Sequence, residues 1–319
     1  MTTTERRSSV AIVGLGTMGC GIAVAALTHG IDVVLLDIDE AATAAGRDRL
    51  SRRLHRHVQA GLLPSSVLAS LDGAVYVTSY DEIGDGVDFI IEAVPEDWTI
   101  KRGVLAALSA SSSVRLATNT SSFPVDQLAS SVTDPTRFIG VHFFNPAEWT
   151  PGVEVVNGAQ TAEATTTTVI DLLRRMAKNP TVVRSSPGFL ANRLQLALFS
   201  ECMRVVDEGL ATAEDVDRVV RSTFGFRLPA FGPFAVADMA GLDVYESILD
   251  TLADAFGERF AAPESLRSLV ARGRHGLKTR AGFRDYTIGE VEELLAYRDS
   301  QYARIEAAIN PDVLGEGTP

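Results

Sequence analysis

Two residues twelve positions apart, His142 and Glu154 in the stretch HFFNPAEWTPGVE, carry the first chemistry legible in this chain. A histidine held against a carboxylate is a general base that works near neutral pH, because the ring titrates there and the carboxylate stabilises its cation. A histidine at a strand end can equally do no more than bond a backbone carbonyl, so the surroundings have to decide between the two.

Gly14-Leu15-Gly16-Thr17-Met18-Gly19 forms a second constellation, matching G-x-G-x-x-G. Glycine is required there for a tight turn, for close approach of backbone to a diphosphate, and for close packing of helix on strand. The motif follows the run SVAIV and opens an apolar helical stretch, whose first amides would face the diphosphate. Asp37 comes 18 residues after Gly19, at the end of the run DVVLL, where a carboxylate accepts both ribose hydroxyls and repels a 2′-phosphate. Ile38 and Asp39 offer no cation to bind one, so the pattern predicts NAD rather than NADP.

These residues need elements to hold them. Residues 9–13 and 32–36 read as strands on either side of a helix that ends near His29, with Gly30 placed to terminate it. Further strands are expected at 75–78, 88–93, 115–118, 138–142, 153–156 and 181–183, and helices at 40–60, 98–109 and 164–178. This alternation implies an α/β fold with a Rossmann-type, doubly wound, mostly parallel sheet. From Ser185-Ser186-Pro187-Gly188 onwards, strand-like runs give way to amphipathic helices. The first covers 189–208 and stops at Gly209; Thr212 with Asp215 forms a capping box for the next. An NAD-binding domain is therefore expected over 1–187 and an all-α domain for substrate and dimerisation over 188–319, ending in a helix with a frayed end.

A chain of 319 residues accommodates two cores, and 46% apolar with 22% charged residues is an ordinary globular balance. The net charge of -12 argues against nucleic acid as the main partner, since phosphate backbones are bound by basic surfaces. Cys20 and Cys202 have neither paired nor metal-like spacing, which fits a reducing cytoplasm and no metal. Arg6-Arg7 ahead of the apolar run 10–27 has the look of a signal or a membrane span. Gly14, Gly16, Gly19 and Gly21 interrupt that run and no cleavage site follows, so it reads as folded structure and no membrane partner is expected.

Beyond the glycine fingerprint, the chain carries EAVPEDWTIK at 92–101, NTSS at 119–122, HFFNP at 142–146, VEVV at 153–156, PGFLANR at 187–193, and GPF and GLD between 232 and 243. In this order the motifs resemble the 3-hydroxyacyl-CoA dehydrogenase family over nearly the whole chain. The resemblance implies an NAD-dependent enzyme of fatty-acid metabolism, a homodimer, that interconverts 3-hydroxyacyl-CoA and 3-oxoacyl-CoA. It also implies His142 as general base, Glu154 as its partner, Ser121 and Asn192 around the substrate oxygen, and Glu96, Lys101 and Asn145 near the cofactor. Hydride leaves C3 only as the hydroxyl proton is removed, so such a base is a chemical necessity.

Two stretches depart from the family pattern: WTPGVEVV, with Pro151 and Gly152, and GLKTRAGFRDY, with Arg280 and Arg284. They leave open a relative that acts on a free hydroxy acid, as λ-crystallin-like gulonate dehydrogenases do, or on an acyl group carried by a protein. A non-catalytic NAD-binding protein is the alternative of another class, although the base, its partner and both oxygen ligands are all present. Arg49, Arg52, Arg53 and Arg56 fall at i, i+3, i+4 and i+7 of a helix. They form either an anion site for the nucleotide end of CoA or an acidic carrier protein, or a solvated face balanced by carboxylates elsewhere.

Overall fold

The computed structural model describes residues 8–309, so Arg6-Arg7 and the expected frayed end lie outside the described residues. Packing divides the chain after Phe199 into two compact units.

The first unit is built on eight strands: β1 Ser9–Val13, β2 Asp32–Leu36, β3 Val75–Tyr76, β4 Phe89–Glu92, β5 Arg115–Thr118, β6 Phe138–Phe143, β7 Gly152–Asn157 and β8 Asn179–Arg184. Their order across the sheet is β3-β2-β1-β4-β5-β6-β7-β8. The strands are parallel from β3 to β6; β7 then runs antiparallel to β6, and β8 parallel to β7. The strand sequences SVAIV, DVVLL and FIIE are apolar and mostly β-branched or aromatic, as strands covered on both faces require.

Alternation along β1 shows the two layers. Val10 and Ile12 enter a core made with helices α1 Thr17–Thr28 and α2 Glu40–Gln59, whereas Ala11 and Val13 enter the opposite one. That second core is closed by α3 Trp98–Ser111 and α4 Val125–Ala129, while α5 Glu163–Arg175 packs on the first. Aspartates start the long helices: Asp39 accepts the amide of Ala42, and Asp97 those of Thr99 and Ile100.

α6 Ala191–Asp207 carries the chain into the second unit, which continues with α7 Ala213–Ser222, α8 Phe224–Arg227, α9 Pro233–Ala240, α10 Leu242–Phe256, α11 Glu264–Ala271 and α12 Ile288–Ile309. The Thr212 hydroxyl accepts the Asp215 amide and donates to the Asp215 carboxylate, closing the expected cap of α7. Asp238, buried in α9, accepts the Tyr286 hydroxyl at 2.6 Å and the Phe283 amide at 3.0 Å. The departure GLKTRAGFRDY is therefore wrapped on this one carboxylate. None of the described helices is long and apolar enough to cross a membrane.

The fingerprint turn is seated by a close approach of α2. A Cβ built on Gly46 would lie 2.4 Å from the Cβ of Leu15, which is itself 1% exposed. Gly46→Ala is therefore expected to overpack this contact and lower stability by about 1–3 kcal/mol in a denaturant titration. An unchanged midpoint would show that Leu15 can move aside.

Candidate active site

The twelve-residue spacing of His142 and Glu154 follows from a hairpin. β6 and β7 are antiparallel, the loop between them takes residues 144–151, and the register sets His142 directly opposite Glu154. Opposite residues share a face, and here His142 Nδ1 meets Glu154 Oε2 at 2.8 Å with both residues 5% exposed.

The other carboxylate oxygen has a second set of partners. Glu154 Oε1 accepts the amides of Leu190 at 2.9 Å and Ala191 at 2.8 Å, the first amides of α6. PGFLANR thus delivers a helix N-terminus to the carboxylate, where aligned peptide dipoles favour negative charge. The chain reaches that position through Gly188 at φ +70° and Phe189 at φ +49°. A left-handed conformation at Phe189 costs about 1–2 kcal/mol, and the ring is buried against His142, centroids 5.7 Å apart. Phe144 covers the imidazole at 4.4 Å. With Nδ1 engaged by Glu154, proton exchange with a ligand falls to Nε2, and His142 lines the cleft beside it.

Ser121 and Asn192 are brought together, since Asn192 Nδ2 donates to the Ser121 carbonyl at 2.9 Å. Ser121 also lines the cleft, and its hydroxyl donates to Glu96 Oε1 at 3.2 Å. That oxygen accepts further bonds from the Thr120 hydroxyl at 2.6 Å and the amides of Ser121 and Ser122. Burial pushes the Glu96 carboxyl up, but the Thr120 hydroxyl, the Lys101 ammonium, the Ser121 amide and the Ser122 hydroxyl outweigh it and hold it below its ordinary value.

Lys101 is 1% exposed and is bound to Glu92 Oε1 at 2.8 Å, and it lies 3.3 Å from Glu96 Oε2. It does not line the cleft itself but is paired with Glu96, which does. The sequence reading missed Glu92, fully buried at the end of β4, which also accepts the Thr118 hydroxyl at 2.6 Å. It missed Asn119 too, whose Oδ1 accepts the Phe143 amide at 2.9 Å and so ties the NTSS loop to the strand of His142. Both are polar residues at or just past the C-terminal end of a strand, within EAVPEDWTIK and NTSS.

The cleft beside these residues has a volume of 560 Å³ and runs from the glycine turn to His142, Phe144 and Asn145. Its glycine end fits a dinucleotide. A Cβ on Gly14 would strike the carbonyl of Ala93 at 2.8 Å, whereas Gly16 faces open space within 4 Å. Asp37 is fixed as well, Oδ2 accepting the Leu15 amide and Oδ1 the Ile38 amide, both at 2.8 Å.

The four arginines of α2 do not make one solvent-facing cationic surface. Arg53 is bidentate to Glu148, with both bonds at 2.7 Å, and also donates to the Thr17 carbonyl at 2.8 Å. Arg49 donates to the Leu15 carbonyl and lines the dinucleotide cleft. Arg52 and Arg56 are exposed. The helix crosses the glycine turn closely, so Arg49 and Arg53, positions i and i+4 of the stripe, reach its carbonyls, Arg49 while still exposed. Glu148 also accepts from His57 at 3.0 Å, and the buried Lys178 donates to the carbonyls of Ala147, Glu148 and Thr150. Desolvation pushes the Lys178 ammonium down against the pull of Glu148.

Family models for the NAD binding domain and the C-terminal domain of 3-hydroxyacyl-CoA dehydrogenase match residues 9–186 and 188–286. The chain belongs to the 3-hydroxyacyl-CoA dehydrogenase family. NAD is the cofactor of this family, in keeping with the carboxylate at Asp37. Among relatives, the 5-formyl-3-hydroxy-2-methylpyridine 4-carboxylate 5-dehydrogenase of Mesorhizobium japonicum is 35% identical over 298 residues, covering 91% of this chain and 94% of that one. The 3-hydroxybutyryl-CoA dehydrogenase of Clostridioides difficile is 35% identical over 281 residues, covering 87% and 99%. A crystal structure of a 3-hydroxyacyl-CoA dehydrogenase from Archaeoglobus fulgidus matches with a TM-score of 0.78 at 31% identity, covering 94% of this chain and 99% of that one.

Glu148 gives this protein a testable pH dependence. Burial raises its carboxyl, but bonds from Arg53, its own backbone and His57 outweigh that and hold it below the ordinary value. A carboxyl depressed on folding contributes stability above its unfolded pKa, and that contribution is lost as pH falls below ~4.3. Glu148→Gln is expected to be less stable than the parent at pH 7 and to lose less stability on acidification. Parallel acid-unfolding curves for the two proteins would contradict this.

Proposed function

We propose that the chain is an NAD-dependent dehydrogenase that interconverts a 3-hydroxyacyl thioester, in first place a 3-hydroxyacyl-CoA, with its 3-oxoacyl counterpart. The observation that carries the reading is the double use of Glu154, one oxygen on His142 Nδ1 and the other on the amides of α6. NAD, when bound, supplies the acceptor for hydride from C3. His142 Nε2 takes the hydroxyl proton as that hydride leaves, and returns it in the reducing direction.

An imidazolium forming in a buried site is costly, and the adjacent carboxylate offsets that cost while fixing the tautomer. The Leu190 and Ala191 amides hold Glu154 in place from the other side, so its other oxygen stays aimed at Nδ1. Asn192 has a second amide hydrogen beside the one given to the Ser121 carbonyl, and the Ser121 hydroxyl can turn from Glu96; the two then orient the substrate oxygen and stabilise charge developing on it.

HFFNP and GLD favour the thioester, as does the relative named for 3-hydroxybutyryl-CoA. A second reading, a free hydroxy acid or a carrier-bound acyl group, is favoured by the pyridine carboxylate dehydrogenase of equal identity and by Arg53 being engaged with Glu148. On the thioester reading, the exposed Arg52 and Arg56 are the members of the α2 stripe left to meet the CoA nucleotide. The helical unit exposes Leu210, Val219, Phe234, Ile248 and Tyr297, which supports a homodimer; sedimentation at micromolar concentration as a monomer would contradict it. The two widely spaced cysteines fit a cytoplasmic setting.

His142→Gln is expected to lower kcat by about two to four orders of magnitude, the range for losing a general base, while the Kd for NADH stays near that of the parent. Unchanged turnover would remove His142 from the mechanism. Following NADH absorbance with acetoacetyl-CoA, an acetoacetyl carrier protein and free 3-oxo acids separates the substrate readings; turnover of the free acids alone would sink the thioester reading.

A further inference from the structure

Arg49 stands on the helical stripe that the sequence offered for the far end of a substrate, yet it lines the dinucleotide cleft together with Asp37. One residue of the glycine turn holds both. The amide of Leu15 donates to Asp37 Oδ2 at 2.8 Å, and the carbonyl of the same Leu15 accepts from Arg49 Nη1. A carboxylate and a guanidinium are thus fixed on either side of a single residue, at the end of the cleft that receives adenosine.

The two groups suit opposite ligands. A carboxylate accepts from both ribose hydroxyls and repels a 2′-phosphate. A ribose with free hydroxyls has little use for a guanidinium, whereas the planar fork of an arginine matches phosphate oxygens in charge and geometry. Arg49 is exposed, and the Leu15 carbonyl uses only part of its five-donor capacity. Ile38 and Asp39 provide no cation; α2 brings one in from twelve residues beyond Asp37.

We propose that Asp37 and Arg49 are opposed halves of a cofactor discriminator, in which Asp37 excludes a 2′-phosphate and Arg49 is a ready partner for one. NAD preference then rests on a single carboxylate, and the chain retains the cation that an NADP site requires. The inference rests on NAD as the cofactor and on Asp37 at the ribose. It does not depend on which hydroxyacyl group is oxidised.

Binding of 2′,5′-ADP, 5′-AMP, NADPH and NADH, measured by calorimetry or fluorescence, tests it without reference to turnover. Asp37→Asn is expected to tighten 2′,5′-ADP and NADPH by about tenfold or more, the scale of a charge-assisted phosphate contact added to relief of repulsion. Adding Arg49→Met to Asp37→Asn should abolish most of that gain, and adding Arg49→Lys instead should keep part of it. Arg49→Met alone should weaken whatever affinity the parent has for 2′,5′-ADP while the Kd for 5′-AMP and NADH moves by less than about threefold. If the gain survives Arg49→Met, or if that substitution weakens all four ligands equally, Arg49 merely tethers the Leu15 carbonyl and the proposal fails. If Asp37→Asn does not fold, the comparison of 2′,5′-ADP with 5′-AMP in the parent and in Arg49→Met decides on its own.

Discussion

The arrangement of the candidate active site depends on one buried carboxylate with two masters. Glu154 meets the imidazole of His142 through Oε2 and the first amides of α6 through Oε1. Placing an ion in a site 5% exposed costs several kcal/mol unless every oxygen is satisfied. Three donors from two different parts of the chain satisfy it here. The antiparallel pairing of β6 with β7 sets the imidazole, and the left-handed turn at Gly188 and Phe189 aims the helix. Each contact uses one oxygen, so both are needed to leave the buried carboxylate fully hydrogen-bonded.

The hairpin loop between those strands is fixed with comparable care. Glu148 is held by Arg53 and His57 from α2, and Lys178 at the start of β8 gathers three carbonyls of residues 147–150. Arg53 also reaches the Thr17 carbonyl, so one guanidinium spans the glycine turn and the loop that carries Asn145. Through Arg53, α2 thereby ties the loop of Asn145 to the glycine turn.

Much of this was legible beforehand, for physical reasons that differ by residue. Glycine at 14, 16 and 19 is imposed by backbone geometry, and the strand and helix periods follow from burial, so the Rossmann-type fold and its NAD cofactor could be read directly. The His142–Glu154 pair was legible as a hypothesis because strand register converts a spacing of twelve into direct opposition once the loop length is known. What PGFLANR does for Glu154 was not legible, since a helix N-terminus acts through backbone amides that no side chain announces. The arginine stripe was legible only in part, for a related reason. Helical spacing says which residues share a face, but not that the glycine turn would lie under half of that face.

Nitrogen NMR of the His142 ring is the most direct test of the central claim, that Glu154 fixes the imidazole through Nδ1 and leaves Nε2 to exchange the proton. The neutral ring of the parent is expected to carry its proton at Nδ1 and none at Nε2, and Glu154→Gln should mix the two tautomers. A parent ring protonated at Nε2, or one whose tautomer is unaffected by Glu154→Gln, would contradict the account.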